Sequence, residues 1–226
     1  HYLRTAVLAY FLLFSACLSI DKLEYLIVTS VPSVDGPVLS GGQSLTLDID
    51  SLDSSTAYLR SLSAATVGIA PRMPIKLVKP SRKDATDKIQ RELWGVKATK
   101  SLDTPYTGSG VSVAVLDTGI DSGHEAFLGV SLQQKDFTGD GLQDDVGHGT
   151  HCAGTLFGQT IDGIRIGVAP GIESALIGKV LDREGGGTTE SLCQGILWSV
   201  EQGANVISMS VGLDFPGFVS QLVSKG

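Results

Sequence analysis

The chain has 226 residues, 42% hydrophobic and 18% charged, which is enough apolar material for one sizeable core, or a core plus a smaller domain, and too much for a disordered polymer. Its formal net charge of −7 excludes a nucleic-acid binder, because phosphate contacts need a basic surface. The cysteines Cys17, Cys152 and Cys193 are far apart with no CxxC pair, which excludes a disulfide framework and a zinc ribbon.

The first residue is His1 rather than Met, so a fragment or processed product is expected. Residues 5–20, TAVLAYFLLFSACLSI, carry no charge and follow Arg4. That run is short for a membrane span and fits the apolar part of a secretory signal; a buried helix is the alternative. Residues 1–23 are therefore read as an apolar leader. Residues 24–80 have a different character. Short strands are predicted at 25–28 and 45–49, the second alternating with period two. A helix is predicted over 54–62, then strands at 67–70 and 75–78 around Pro71 and Pro74. The glycine-rich stretch 33–42 reads as a loop. This small α+β unit ends at Pro80, and the charged stretch 81–92 reads as a solvated linker, its basic residues interrupted by Asp84 and Asp87.

From residue 111 the pattern changes. Apolar runs at 111–116, 174–181 and 204–210 predict buried strands, the first stopped by Asp117-Thr118-Gly119. Between the second and third, Leu192, Ile196 and Val200 recur every four residues, flanked by Cys193 and Leu197, which predicts an amphipathic helix with that face inward. Apolar strands alternating with helices predict an α/β domain with a parallel sheet. Reactive groups in such folds sit at the carboxyl ends of strands, where Asp117 lies.

Residues 144–155 read DDVGHGTHCAGT. An imidazole is a useful general base near neutral pH, and a carboxylate on its far nitrogen fixes the tautomer and stabilises the imidazolium. Asp117 and His148 are the candidate pair, and Gly147 and Gly149 leave room for a substrate backbone. His148 and His151 are also spaced i, i+3, as two ligands on one helix face would be. Zinc would need a further ligand, for which Asp144 or Asp145 could serve, but there is no HExxH pattern and no glutamate placed as a base. No metal and no cofactor are predicted. His151 then reads as a polar residue of the helix that His148 opens.

VAVLDTGID (113–121) followed by DDVGHGTHCAGT resembles the subtilisin-like serine proteases, the subtilases of peptidase family S8. The likeness continues through IGVAPGIESALIGKVL (166–181), GGG (185–187) and GANVISMSVG (203–212), and covers 93 to about 212. It implies a subtilisin-like parallel-sheet α/β domain, incomplete within these residues, over 93–226. Asp117 would be the triad carboxylate and His148 the base. Gly185, Gly186 and Gly187 would pair with substrate backbone as an added strand. Ser210, Val211 and Gly212 would form the facing side of the cleft and one wall of the P1 pocket. Thr189 would border the P4 site, and Cys152 would lie close under the histidine, as a small packing residue. Residues 24–80 resemble an inhibitory propeptide that covers the cleft, with maturation between about Pro80 and Trp94.

The family's serine and oxyanion asparagine have no match. The sole asparagine, Asn205, precedes the substrate strand, and Ser208 and Ser210 are poor nucleophile candidates. The expectation is the N-terminal part of a serine endopeptidase zymogen, inactive as it stands because loss of a triad member costs orders of magnitude in rate. Where the family has a calcium-binding aspartate, the chain reads His124-Glu125-Ala126, so calcium is not expected. Two rival readings are a degenerate subtilase that only binds peptides and a metal-dependent hydrolase using His148 and His151. The expected partners are peptides or proteins and the chain's own propeptide, with no nucleic acid and no membrane contact beyond the leader. The expected location is outside the cell or in its envelope, with the cytoplasm as the alternative.

Overall fold

The computed structural model describes residues 22–32, 43–79 and 94–225. Residues 1–21 of the leader, the 33–42 loop and the whole 81–92 linker lie outside the described residues. The chain forms two compact units, one of residues 1–74, 188–193 and 213–226, the other of 75–187 and 194–212.

In the first unit, β1 (Leu23–Pro32) is the middle strand of an antiparallel sheet, between β2 (Gln43–Leu52) and β3 (Thr66–Pro71). Both β1 and β2 run well past their predicted apolar runs, because the backbone ladder from Leu23↔Leu52 to Pro32↔Gln43 continues through the polar residues. Helix α1 (Ser54–Ser61) starts at Asp53, whose carboxylate accepts from the Thr56 amide at 2.9 Å, satisfying one of the helix's free N–H groups. Tyr25, Ile27, Leu52 and Ala57 form the core of this unit. A separate cluster joins Met73 to Phe218 and Leu222 of α5 (Phe215–Lys225).

The second unit is built on a parallel sheet of β5 (Ser112–Asp117), β6 (Leu132–Asp136), β9 (Ser174–Lys179) and β11 (Val206–Met209), in the order β11-β5-β9-β6. The sheet explains the unbroken apolar run of β5. Val115 packs with Ala153, Phe157 and Ile177 on one face, while Ala114 packs with Leu176 and Trp198 on the other. A strand covered on both faces loses the polar alternation of a half-exposed one. Strand β6 reads as polar (LQQKD) and, among the described residues, pairs with β9 alone, at the sheet's edge. A two-residue hairpin links β7 (Thr160–Ile161) to β8 (Ile164–Arg165), with Asp162 and Gly163 both at positive φ, as a tight hairpin turn requires.

Helices α2 (Trp94–Ala98), α3 (His148–Phe157) and α4 (Thr189–Glu201) complete the described elements of regular helix. The predicted inward face of α4 is corrected. Gly195, Trp198 and Ser199 are buried, Leu192 and Ile196 are half-buried and Val200 is exposed. The reason is close approach: a Cβ at Gly195 would come within 2.7 Å of Val180. Small residues let the helix sit down on the sheet, and an apolar-periodicity pattern overlooks them.

A third set of strands, β4 (Pro74–Leu77), β10 (Gly186–Thr188) and β12 (Val211–Leu213), has β4 in the middle. Residues 75–78 thus belong with the second unit.

Helix α3 begins against the turn after β5. A Cβ at Gly149 would lie 2.2 Å from the Gly119 carbonyl oxygen, while one at Gly154 would meet nothing within 4 Å. Gly149→Ala should therefore lose about 1–3 kcal/mol of stability through overpacking, and Gly154→Ala should be neutral or slightly stabilising. Urea unfolding of the two variants checks this.

Candidate active site

Asp117 is the last residue of β5 and is 1% exposed. Its Oδ1 accepts from the Thr118 amide at 2.8 Å and lies 2.7 Å from His148 Nδ1. Its Oδ2 is buried and has no hydrogen-bond partner among the described residues. A buried carboxylate beside Nδ1 keeps the proton on that nitrogen and leaves Nε2 to gain and lose one. Nε2 faces the carbonyl oxygen of Val78 at 3.2 Å, and when protonated it donates there.

The helix start that carries His148 is held by Asp144. The residue before the helix, Gly147, has φ 83° and offers no side-chain cap. Asp144 takes over that task from outside the helix. Its Oδ1 accepts from Thr118 Oγ1 at 2.8 Å, Gly147 N at 2.8 Å and Val146 N at 3.2 Å, and its Oδ2 accepts from Thr150 N at 2.8 Å and Thr150 Oγ1 at 2.6 Å. Thr118 also accepts from the Gly149 amide at 2.9 Å. One hydroxyl thus ties the strand end of Asp117 to the helix start of His148. Burial alone would raise the Asp144 carboxyl, but the Thr150, Thr118 and Gly147 hydrogen bonds hold it below the ordinary carboxylate value.

Residues 148 and 151 do not converge as a metal pair. His151 is exposed, the oxygens of Asp144 are filled by hydrogen bonds, and Asp145 lies 3.8 Å from the buried Lys179 ammonium. Lys179 is itself anchored by the Gln143 carbonyl at 2.6 Å. Among the described residues, the cluster of metal-type ligands that does form is Asp117, His148 and Cys152, with ligand atoms within 4.8 Å of one another. An ion held there would have to displace the Asp117–His148 hydrogen bond, so metal binding and base chemistry exclude each other. Cys152 Sγ lies 3.8 Å from His148 Nδ1. Burial pushes its thiol up, against a lowering hydrogen bond with Ser210 and with the Asp117 charge adding to the rise, so it is protonated near neutral pH. His124 Nδ1 accepts from the Ala126 amide at 3.1 Å, capping a short turn over Glu125–Phe127.

The glycine and serine candidates lie on, or one residue before, the two strands beside β4. Leu77 N donates to the Gly185 carbonyl at 3.0 Å, and Val78 N donates to the Ser210 carbonyl at 3.1 Å. A Cβ at Gly187 would lie 3.2 Å from Ile75, and one at Gly212 would lie 3.8 Å from Val78. Gly186 N donates to the Asp182 carboxylate at 3.0 Å, and Val211 opens β12. Thr189 Oγ1 accepts from Met73 N at 2.9 Å. Sequence reasoning overlooked Thr118 and Thr150 and weighed Asp144 only as a metal ligand. Their weak signal is a hydroxyl next to the acid and another two residues after the histidine.

A family model described as "Subtilase family" matches residues 108–226. The chain is 41% identical over 108 residues to thermitase of Thermoactinomyces vulgaris, covering 46% of this chain and 38% of that protein. It is 41% identical over 124 residues to the major intracellular serine protease of Bacillus subtilis (strain 168), covering 52% and 39%. It is 36% identical over 138 residues to the alkaline protease of Shouchella clausii, covering 59% and 35%. The chain spans about a third of the length of the curated relatives it matches.

Asp144 supplies a pH test. Its lowered carboxyl contributes stability that is present above the ordinary carboxylate value, about 3.9, and is lost as pH falls through the lower folded value. Asp144→Asn should cost about 1–3 kcal/mol at pH 7 and flatten the stability curve below about pH 4. Urea unfolding from pH 7 to pH 2 measures both.

Proposed function

Because this chain belongs to the subtilase family, we propose that it supplies the aspartate and histidine of an Asp-His-Ser endopeptidase. The observation that carries the proposal is the 2.7 Å contact between buried Asp117 and His148 Nδ1. His148 Nε2 takes the proton of a serine hydroxyl as that oxygen attacks the substrate carbonyl. Asp117 stabilises the imidazolium that forms, and His148 then protonates the leaving amine. Water hydrolyses the acyl-enzyme with His148 again as base. The serine and the oxyanion donor belong to polypeptide outside these 226 residues, a view supported by the greater length of the relatives. Peptide or protein substrates would lie against Gly185–Gly187 on one side and Ser210–Gly212 on the other.

Residues 24–80 are proposed as the inhibitory propeptide, 81–92 as the linker and 93–226 as the first part of the catalytic domain. Residues 1–23 are proposed to direct export to the envelope or beyond. Among the described residues no helix is long and apolar enough to cross a membrane, and the names of two relatives describe them as intracellular.

The test is proteolysis by the full-length parent protein. His148→Ala should lower kcat by roughly 10⁶-fold, and Asp117→Asn should lower it by roughly 10⁴-fold. A serine-directed sulfonyl fluoride should abolish activity, and the 226 residues alone should show no turnover. Proteolysis that survives His148→Ala and yields to a chelator would favour metal chemistry instead.

A further inference from the structure

Lys179, the last residue of β9, carries an ammonium group that the proposed chemistry does not use, and its side chain is 1% exposed. Strand alternation puts it on the same sheet face as Ala175 and Ile177, which pack in the core with Ala153 and Phe157 of α3. Burying a charge on an apolar face is costly unless the charge is paired and hydrogen-bonded. Here Nζ donates to the Gln143 carbonyl oxygen at 2.6 Å and lies 3.8 Å from Asp145 Oδ2.

This residue meets both halves of the Asp117–His148 pair. In the sheet it is the register partner of Asp117, and the next two amides, Val180 N and Leu181 N, donate to the Asp117 carbonyl at 2.9 Å and 3.1 Å. Its side chain holds the carbonyl of Gln143, the residue just before Asp144. Because a peptide unit is planar, fixing that carbonyl fixes the plane from which Asp144 starts. Asp144 in turn receives hydrogen bonds from Thr118, next to Asp117, and from Gly147 and Thr150 on either side of His148. The turn after β5 closes the other side: a Cβ at Gly119 would lie 2.8 Å from the Leu142 oxygen and 3.3 Å from the Gln143 oxygen.

A second cation grips the same loop from outside. Arg183 donates to Asp140 from Nε at 3.1 Å and from Nη2 at 3.0 Å, but its side chain is 61% exposed. An exposed pair of that kind contributes little, so the buried contact at Gln143 is the one that fixes the loop beside the pair.

We propose that Lys179 is a positioning residue for the Asp117–His148 pair, acting through the Gln143 carbonyl on Asp144 and so on the helix start that carries His148. This rests on the endopeptidase function proposed above. Lys179 holds the base rather than the substrate, so its loss acts on kcat and leaves KM.

The experiment uses the full-length parent protein. Lys179→Met keeps the stem and removes the ammonium, and replacing a buried charge by an apolar group of similar shape is often near neutral for stability. Its kcat on a peptide substrate should fall roughly tenfold to a hundredfold, with KM within about twofold of wild type. Arg183→Ala should keep kcat within about twofold. An unchanged kcat in Lys179→Met, a KM that rises as kcat falls, or an equal loss of kcat in Arg183→Ala overturns the inference. Where the methionine variant does not fold, Lys179→Arg carries the test. It keeps a charged donor on a long stem and should hold kcat within about fivefold of wild type, and a larger loss overturns the inference. Proton NMR supplies a readout independent of turnover, on parent protein whose nucleophilic serine is replaced by alanine. The low-field signal of the His148 Nδ1 proton shared with Asp117 should broaden or move upfield in folded Lys179→Met, and an unchanged signal overturns the inference. Failure of the underlying function looks different: the wild-type parent would then leave an unfolded protein such as casein intact.

Discussion

The hydrogen bonds through the Thr118 hydroxyl are the constraint on which the site depends. Asp117 sits at a strand end and His148 opens a helix 31 residues later, so nothing local brings them together. Thr118 Oγ1 donates to Asp144 and accepts from the Gly149 amide, while Asp144 also holds Thr150 and Gly147. Each such bond is worth about 1 kcal/mol net, but leaving one of these buried groups unpaired would cost more. The Asp144 cluster thereby holds the helix start that carries His148 against the strand end that carries Asp117.

Close backbone approach is the second constraint, and it is met by deleting side chains. Gly149 allows the helix start to touch the Gly119 carbonyl, Gly195 allows α4 to settle on Val180 and Leu116, and Gly185 and Gly187 leave space for Leu77 and Ile75. Gly187 also faces the Val180 carbonyl oxygen, 2.4 Å from where its Cβ would be. A slot for an added strand needs main-chain partners at the right spacing and no Cβ in the way. Here both come from short strands that carry glycine where β4 approaches, GGT on one side and VGL on the other.

Much of the α/β domain is legible in the sequence alone. The runs ending at Asp117 and Lys179 are apolar on both faces because both faces are covered, and that pattern is unambiguous. The edge strand β6 was not legible, since LQQKD is polar and its pairing with β9 is purely backbone. The inward face of α4 was misassigned because Ser199 and Gly195 are buried for their small size rather than for their apolarity. The full lengths of β1 and β2 were hidden for a similar reason: their outer residues are held by the ladder, not by burial.

By itself the sequence determined the fold class and the identity of the Asp117–His148 pair, because strand periodicity and two dense motifs are local properties of the chain. It also determined that His148 and His151 stand one helical turn apart. Only the tertiary structure decided that Asp144 is a hydrogen-bonding hub rather than a metal ligand, and that residues 75–78 lie between β10 and β12 with the Val78 carbonyl at the imidazole. Those are contacts between segments tens of residues apart. Their geometry is set by sheet register and close packing, which no local pattern encodes.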